Sequence, residues 1–218
     1  MKNLNVPNRI TVSRIIIVFV MLIALFVLRF IPGLEIPTIG GELKINAVYL
    51  AICIVFIIAS ITDKIDGDLA RKNNEVTDFG KFLDPVADKL LVNSTLIYLA
   101  IPHFSEDQMV IPVYCIIVMI VRDLVVDALR LVAAAKGTVL AANNWGKAKT
   151  VLQMVAIPLV LLNGFPFTYF DASWGEGRVA LWFVYAATLV SLVSGLIYVI
   201  QNWKVVALTG GGKHDKKD

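Results

Sequence analysis

Charged residues and cysteines are both scarce in this sequence. Only 17% of its 218 residues are charged, whereas a soluble domain usually carries about 25%. The two cysteines, Cys53 and Cys115, lie inside apolar runs and lack the spacing of a disulfide framework or a metal site. We expect both to behave as small buried hydrophobic residues. The composition therefore argues against a soluble domain and against one held together by disulfides.

Long apolar runs are what the sequence has instead, and 58% of its residues are hydrophobic. A helix needs about 20 residues to cross the hydrocarbon core of a membrane. Six runs reach or approach that length, the fifth if its helix begins near Trp145. They are Thr11–Phe30, Asn46–Thr62, Leu83–Ile101, Met109–Ala135, Val151–Leu162 and Val179–Trp203. The sequence predicts an all-α integral membrane protein with six transmembrane helices in one bundle. The first run could instead be a signal peptide, but its length and the lack of a small-residue cleavage site favour a retained helix.

The basic residues are distributed unevenly about the predicted membrane. Of the 20 lysines and arginines, only Arg29, Lys44 and Arg178 fall on one side. Because basic residues accumulate in the cytoplasm, both termini and the second and fourth connecting segments are predicted to be cytoplasmic. Residues 1–208 are predicted to form one membrane domain in the cytoplasmic membrane, and residues 209–218 a flexible basic tail.

Acidic residues are dense beside a predicted span in one segment. Asp63 and Asp66 are three residues apart and share one helix face, and Asp84 and Asp88 are four apart and share another. Two antiparallel helices would gather these carboxylates at the cytoplasmic end of the bundle. Clustered carboxylates repel one another unless cations lie between them, and oxygen ligands without His or Cys favour Mg²⁺ or Mn²⁺. We therefore expect two divalent ions, an arrangement that serves phosphoryl chemistry.

Small residues and one arginine accompany these acids. Gly67 and Gly80 leave room for a flat or bulky group near the backbone, and Ala70 serves similarly. Arg71 can bind a phosphate with its forked guanidinium. Any single charge here could be only the solvated end of a helix. The combination suits a nucleotide diphosphate.

The combination also resembles the signature of the CDP-alcohol phosphatidyltransferases, Asp-x2-Asp-Gly-x2-Ala-Arg-x8-Gly-x3-Asp-x3-Asp. All eight positions are filled, by Asp63, Asp66, Gly67, Ala70, Arg71, Gly80, Asp84 and Asp88. The resemblance implies a six-span, usually dimeric enzyme with CDP-diacylglycerol as donor and a site that opens to the cytoplasm.

The resemblance further implies roles for the four aspartates. Asp63, Asp66 and Asp84 would hold the metal ions. Asp88 would lie near the second ion and act as the base on the acceptor hydroxyl.

Donor binding is implied by the resemblance for a second set of residues, Asn8, Thr11, Gly67, Ala70, Arg71 and Gly80. The glycines would make room for the cytidine, and Arg71 would contact the diphosphate. Asn8 and Thr11 lie in a segment that looks like the first helix of the family, where they would donate to the nucleotide. The alternative for these two is an ordinary N-terminal helix cap.

Four basic residues in the second half of the chain are candidates for binding the acceptor. Arg122 lies deep in the fourth run, where a cation needs an anion or a water-filled cavity. Arg130 is eight residues further on and lies on nearly the same helix face. The alternatives are a structural ion pair between Arg130 and Asp127, and a role for Lys147 and Lys149 as topology signals. Together the four cations suit an acceptor that bears a phosphate.

A phosphate-bearing acceptor could be glycerol-3-phosphate or inositol phosphate, but not serine or free inositol. The stretches Phe79–Val92, Arg130–Ala134 and Gly146–Val155 resemble bacterial phosphatidylglycerophosphate synthases, which favours glycerol-3-phosphate. The same chemistry with inositol phosphate, serine or phosphatidylglycerol as acceptor stays open. A cation transporter is disfavoured, because no acid lies deep in the first, fifth or sixth run. The expected partners are the two substrates, membrane lipid and a second copy of the chain, without nucleic acid.

Overall fold

The structure is a computed structural model, which describes residues 5–31, 36–39, 45–72, 77–104, 108–138, 140, 144–168 and 179–207. Within the helices, only the backbone is described for residues 6, 7, 64, 66, 68–72, 78, 81 and 204–207. The predicted tail, residues 209–218, lies outside the described part, as do Lys44 and Arg178 on the sparsely charged side.

Six helices make up most of the described chain. They are α1 Val6–Arg29, α2 Ala47–Lys72, α3 Asp78–Tyr98, α4 Val113–Ala135, α5 Asn144–Leu161 and α6 Val179–Ala207. Two short strands, β1 Thr38–Ile39 and β2 Ile45–Asn46, pair antiparallel just before α2, with Thr38 opposite Asn46. Each predicted apolar run is thus matched by a helix, and the predicted helical class is confirmed.

Two of these helices are long and apolar enough to cross a membrane, over Asn8–Arg29 in α1 and Val179–Trp203 in α6. Within α2, the apolar segment Ala47–Asp63 is shorter. The outer surface of the bundle is rich in large apolar side chains, such as Leu131 and Ile200, which are 72% and 73% exposed. A surface of this kind is expected where lipid surrounds the protein.

The helices follow one another around the bundle in an order that differs from the sequence. α1 packs against α2 and α3, α2 packs against α5, α5 against α6, and α6 against α4, while contacts between α3 and α4 complete the ring. The interior is filled by large apolar side chains that are almost fully buried, among them Tyr49, Phe56, Leu91, Met119 and Ile157. First-half and second-half helices therefore share one core.

Polar contacts fix the direction of the helices. At the end of the bundle where α1 finishes, Arg29 donates to the carbonyl of His103, and the backbone N–H of His103 donates to the hydroxyl of Tyr49 at 3.0 Å. At the opposite end, Thr77 caps α3 by accepting from the N–H of Gly80 at 3.0 Å. Such a cap is worth about 1 kcal/mol. The candidate site lies at this second end.

Candidate functional site

One face of α1 carries three buried polar residues at a spacing of three, Asn8, Thr11 and Arg14. Thr11 Oγ1 donates to Asp84 Oδ1 on α3 at 3.0 Å, and Arg14 forms an ion pair with Asp63 on α2. The start of α1 is therefore inserted between the two acidic helices. This places side chains from α1 on two of the four signature aspartates.

Asn8 joins α1 to the beginning of α3. Its Nδ2 donates to Thr77 Oγ1 at 2.8 Å, and the Thr77 hydroxyl donates back to Asn8 Oδ1 at 3.2 Å. A Cβ on Gly80 would lie 2.7 Å from Asn8 Oδ1, closer than real Cβ atoms approach. Gly80 thus leaves the space that Asn8 occupies, and its contact with cytidine stays a prediction.

The helix-cap alternative for Asn8 and Thr11 is wrong. The N-cap of α1 is Asn5, which is extended, and Asn8 and Thr11 lie within the helix. Their hydrogen bonds go to α3 and to the residue that caps it, so both residues connect α1 to α3 and do not cap α1. Their contact with the donor nucleotide stays a prediction.

The first half of the signature lies on α2, which continues past the apolar run as far as Lys72. Asp63 and Gly67 are partly exposed there. The backbones of Asp66, Ala70 and Arg71 belong to the same helix, but their side chains lie outside the described part, so their roles stay predictions.

Asp88 on α3 connects the signature aspartates with a neighbouring cavity. Its carboxylate interacts electrostatically with Asp63 on α2, and also with Asp123 and Lys149. It also lines a cavity of about 260 Å³ among α3, α4, α5 and α6. Asp88 is therefore the residue that connects the signature aspartates with the second half of the chain.

All four predicted acceptor-binding residues line this cavity, which we call the cationic cavity. Its basic side chains are Lys89, Arg122, Arg130, Lys147 and Lys149, and its acidic ones are Asp88, Asp123 and Asp127. Five positive and three negative side chains leave two net positive charges. A phosphate monoester carries a charge of about −1.5 to −2 at neutral pH, so the cavity complements it.

Ion pairs organise the walls of the cationic cavity. Asp123 on α4 accepts from Arg122 Nη1 at 3.0 Å and from Lys149 Nζ on α5 at 2.6 Å. Asp127 pairs with Lys89 on α3. The predicted alternative, an ion pair between Arg130 and Asp127, is therefore wrong.

Arg130 is held by α6 instead. Its Nε donates to the hydroxyl of Tyr198 at 3.2 Å, and its guanidinium carbon lies 5.5 Å from the centre of the Tyr198 ring. Such a cation–π contact adds about 0.5–2 kcal/mol. It orients Arg130 without neutralising it.

A family model described as CDP-alcohol phosphatidyltransferase matches residues 4–208. The chain belongs to this family. Three relatives are each named CDP-diacylglycerol–glycerol-3-phosphate 3-phosphatidyltransferase. The protein of Bacillus subtilis strain 168 is 41% identical over 202 residues, which cover 93% of this chain and 97% of the relative. That of Mycoplasma pneumoniae is 37% identical over 92% of this chain and 88% of its own length, and that of Rickettsia felis is 31% identical over 89% and 93%.

CDP-alcohol phosphatidyltransferases generally depend on a divalent metal. Among the described side chains, no group of three or more His, Cys, Asp or Glu is placed to hold an ion, and the side chain of Asp66 is not among them. The donor set nevertheless fits a hard cation, because Asp63, Asp84 and Asp88 offer only carboxylate oxygens and the charge of Asp63 repels that of Asp88. A bound cation would relieve that repulsion.

Several residues that line or contact the candidate site were not predicted from the sequence. Arg14 could have been found, because it continues the spacing of Asn8 and Thr11 along one helix face. Asp123 adjoins Arg122, and Lys89 follows the last signature aspartate, so their positions in the sequence could also have indicated them. Tyr198 had no such signal, because an aromatic residue in the last apolar run is indistinguishable from core.

Proposed function

We propose that this chain transfers the phosphatidyl group of CDP-diacylglycerol to sn-glycerol-3-phosphate, giving phosphatidylglycerophosphate and CMP. The name shared by the relatives supports this reaction. The observation that carries it is the position of Asp88, which both interacts with Asp63 and lines the cationic cavity. A base at that point can reach an acceptor whose phosphate is held by the cavity.

The reaction is a displacement at the β-phosphorus of the donor. Asp63, Asp66, Asp84 and Asp88 would hold divalent ions, Mg²⁺ or Mn²⁺, which when bound neutralise the diphosphate. Asp88 takes the proton of the sn-1 hydroxyl of the acceptor while the hydroxyl oxygen forms a bond to the β-phosphorus. The bond from that phosphorus to the bridging oxygen breaks, and CMP leaves.

The remaining site residues position these groups. Thr11 orients Asp84 by donating to one of its carboxylate oxygens. Gly67, Ala70 and Arg71 follow Asp63 along α2, where Arg71 would contact the diphosphate.

The charge of the cationic cavity selects an acceptor that bears a phosphate. Arg122, Arg130, Lys147 and Lys149 can each donate to its oxygens, and a hydrogen bond to a charged group contributes about 1.5–3 kcal/mol. An acceptor without net charge, such as serine, inositol or glycerol, would leave the two net positive charges of the cavity uncompensated. Buried cations without an anion are costly, so these acceptors should react poorly.

An acceptor panel tests the proposed function. Purified protein with CDP-diacylglycerol should release CMP rapidly with glycerol-3-phosphate, and at least about 100-fold less efficiently with glycerol, which lacks the phosphate. Inositol phosphate, serine and phosphatidylglycerol complete the panel, and protein carrying Asp88→Asn gives the background. Faster release of CMP with serine or phosphatidylglycerol would assign another reaction.

We further propose that all six helices span the cytoplasmic membrane, with both termini and the site on the cytoplasmic side. Two helices of sufficient length and the apolar outer surface support a membrane location, and the uneven distribution of basic residues supports the orientation. A homodimer is proposed from the family resemblance, and chemical crosslinking in the membrane tests it.

Single cysteines give the test of the topology. In a background without Cys53 and Cys115, Lys136→Cys should react with an impermeant maleimide only from the cytoplasmic side, whereas Pro102→Cys and Ile31→Cys should react only from outside. All three residues are exposed and follow the ends of α4, α3 and α1. Reaction of Lys136→Cys from outside would reverse the proposed orientation.

A further inference from the structure

We propose that Asp123 and Gly195 are positioning residues that hold Arg122 and Lys149 in place for the phosphate of the acceptor. The inference rests on the proposed function, since it concerns the cationic cavity of the same site. Three helices contribute to the arrangement, α4 through Asp123 and Arg122, α5 through Lys149, and α6 through Gly195.

Asp123 joins two cations that come from different helices. One carboxylate oxygen accepts from Arg122 and the other from Lys149, so both oxygens are engaged. Asp123 is 9% exposed and Lys149 5%. An ammonium group that is this deeply buried requires a counter-ion, and Asp123 is the carboxylate in contact with it.

Gly195 makes room for the stem of Arg122. A Cβ at this position would lie 2.6 Å from Arg122 Cγ, and 3.6 and 3.7 Å from its Cβ and Cδ. Because Cγ lies near the root of the side chain, it cannot yield without moving the guanidinium. Gly195 is required for space rather than for backbone conformation, since it lies within the regular helix α6.

The neighbouring residue on α6 completes the placement of Arg122. Ser194 Oγ accepts from Arg122 Nε at 3.1 Å, while Nη1 donates to Asp123. A guanidinium has five N–H donors, so it can make both contacts and still donate to a phosphate. The cations are therefore ordered before the acceptor arrives, which lowers the entropic cost of binding.

Gly195→Ala tests this arrangement without changing any charge. We expect the KM for glycerol-3-phosphate to rise about tenfold, because one charge-assisted hydrogen bond is misaligned. The KM for CDP-diacylglycerol should stay at the wild-type value. Ser191→Ala is the matched control, because Ser191 is a small, fully buried residue one turn earlier on the same face of α6. It should leave both KM values unchanged.

Asp123→Asn distinguishes a positioning role from a purely electrostatic one, because the two roles predict opposite changes in the acceptor KM. Removing this carboxylate makes the cavity more positive, so a residue that acted by charge alone would give a lower acceptor KM when removed. Positioning gives the opposite result, an acceptor KM raised about tenfold or more. In a Lys149→Met background the effect of Asp123→Asn should shrink, because one of its two partners is already absent.

Two results would overturn the inference. One is an unchanged or lowered acceptor KM in both Gly195→Ala and Asp123→Asn. The other is an equal rise in donor and acceptor KM together with a lower melting temperature, which would reveal a general structural defect. Turnover of glycerol-3-phosphate by the wild type tests the proposed function alone. The ratio of the acceptor KM of a variant to that of the wild type tests the positioning, and it can be measured with whichever acceptor the panel identifies.

Discussion

Replacing Asp88 by asparagine should lower the turnover number by about 10²- to 10⁴-fold, the usual contribution of a general base. The substitution keeps the size of the side chain and removes its negative charge together with its ability to take a proton. Insertion and the KM for CDP-diacylglycerol should therefore stay close to wild type. Initial rates of CMP release at saturating glycerol-3-phosphate give the measurement.

Asp127→Asn is the matched control for this experiment. Asp127 lines the same cationic cavity, but it is not one of the signature aspartates, and its carboxylate forms an ion pair with Lys89. Both partners of that pair are about one third exposed, at 32% and 33%, so the pair contributes about 1 kcal/mol or less. The control should keep most of its turnover. If Asp88→Asn did the same, another group would have to be the base.

Removal of divalent metal should abolish activity completely, and Mg²⁺ or Mn²⁺ should restore it where Zn²⁺ does not. The physical reason is the donor set, which consists of carboxylate oxygens that repel one another when no cation is present. Asp63→Asn and Asp84→Asn should each lose Mn²⁺ binding together with activity. Equilibrium dialysis against Mn²⁺ measures binding separately from turnover.

The same dialysis on Asp127→Asn is the control for metal binding. This variant loses one carboxylate, like the others, but at a position outside the signature, and it should bind Mn²⁺ like the wild type. Full turnover of the wild type in a chelator would contradict the metal requirement.

The helices were predictable from the sequence, whereas some of their ends were not. The second apolar run ends at Thr62, and the shared helix face of Asp63 and Asp66 predicted a helix as far as Asp66, whereas α2 continues to Lys72. The reason is physical: apolarity reports which residues face lipid or core, while a helix continues as long as its backbone hydrogen bonds are favourable. The beginning of α5 at Asn144 agrees with the prediction of a start near Trp145.

The grouping of the four acceptor-binding residues was predictable, and their partners were not. Arg122 and Arg130 share one helix face because they are eight residues apart, and both line the cavity. The pairing of Asp127 depends on which helix lies opposite. From the sequence, Arg130 on the next turn of the same helix was a possible partner for Asp127. In the structure, α3 places Lys89 against Asp127 instead. Contacts between helices distant in sequence leave no periodic signal.

The order of the helices along the chain and around the ring has a consequence for the synthesis and insertion of the protein. A nascent chain that has inserted only α1, α2 and α3 already carries all eight signature residues. Its cationic cavity is still missing, because α4 brings Arg122, α5 brings Lys149, and α6 brings Ser194 and Gly195. α5 must then dock between α2 and α6 to close the ring. We therefore expect the unfinished polypeptide to lack a site for the acceptor, and to gain activity only after α6 has packed against α4 and α5.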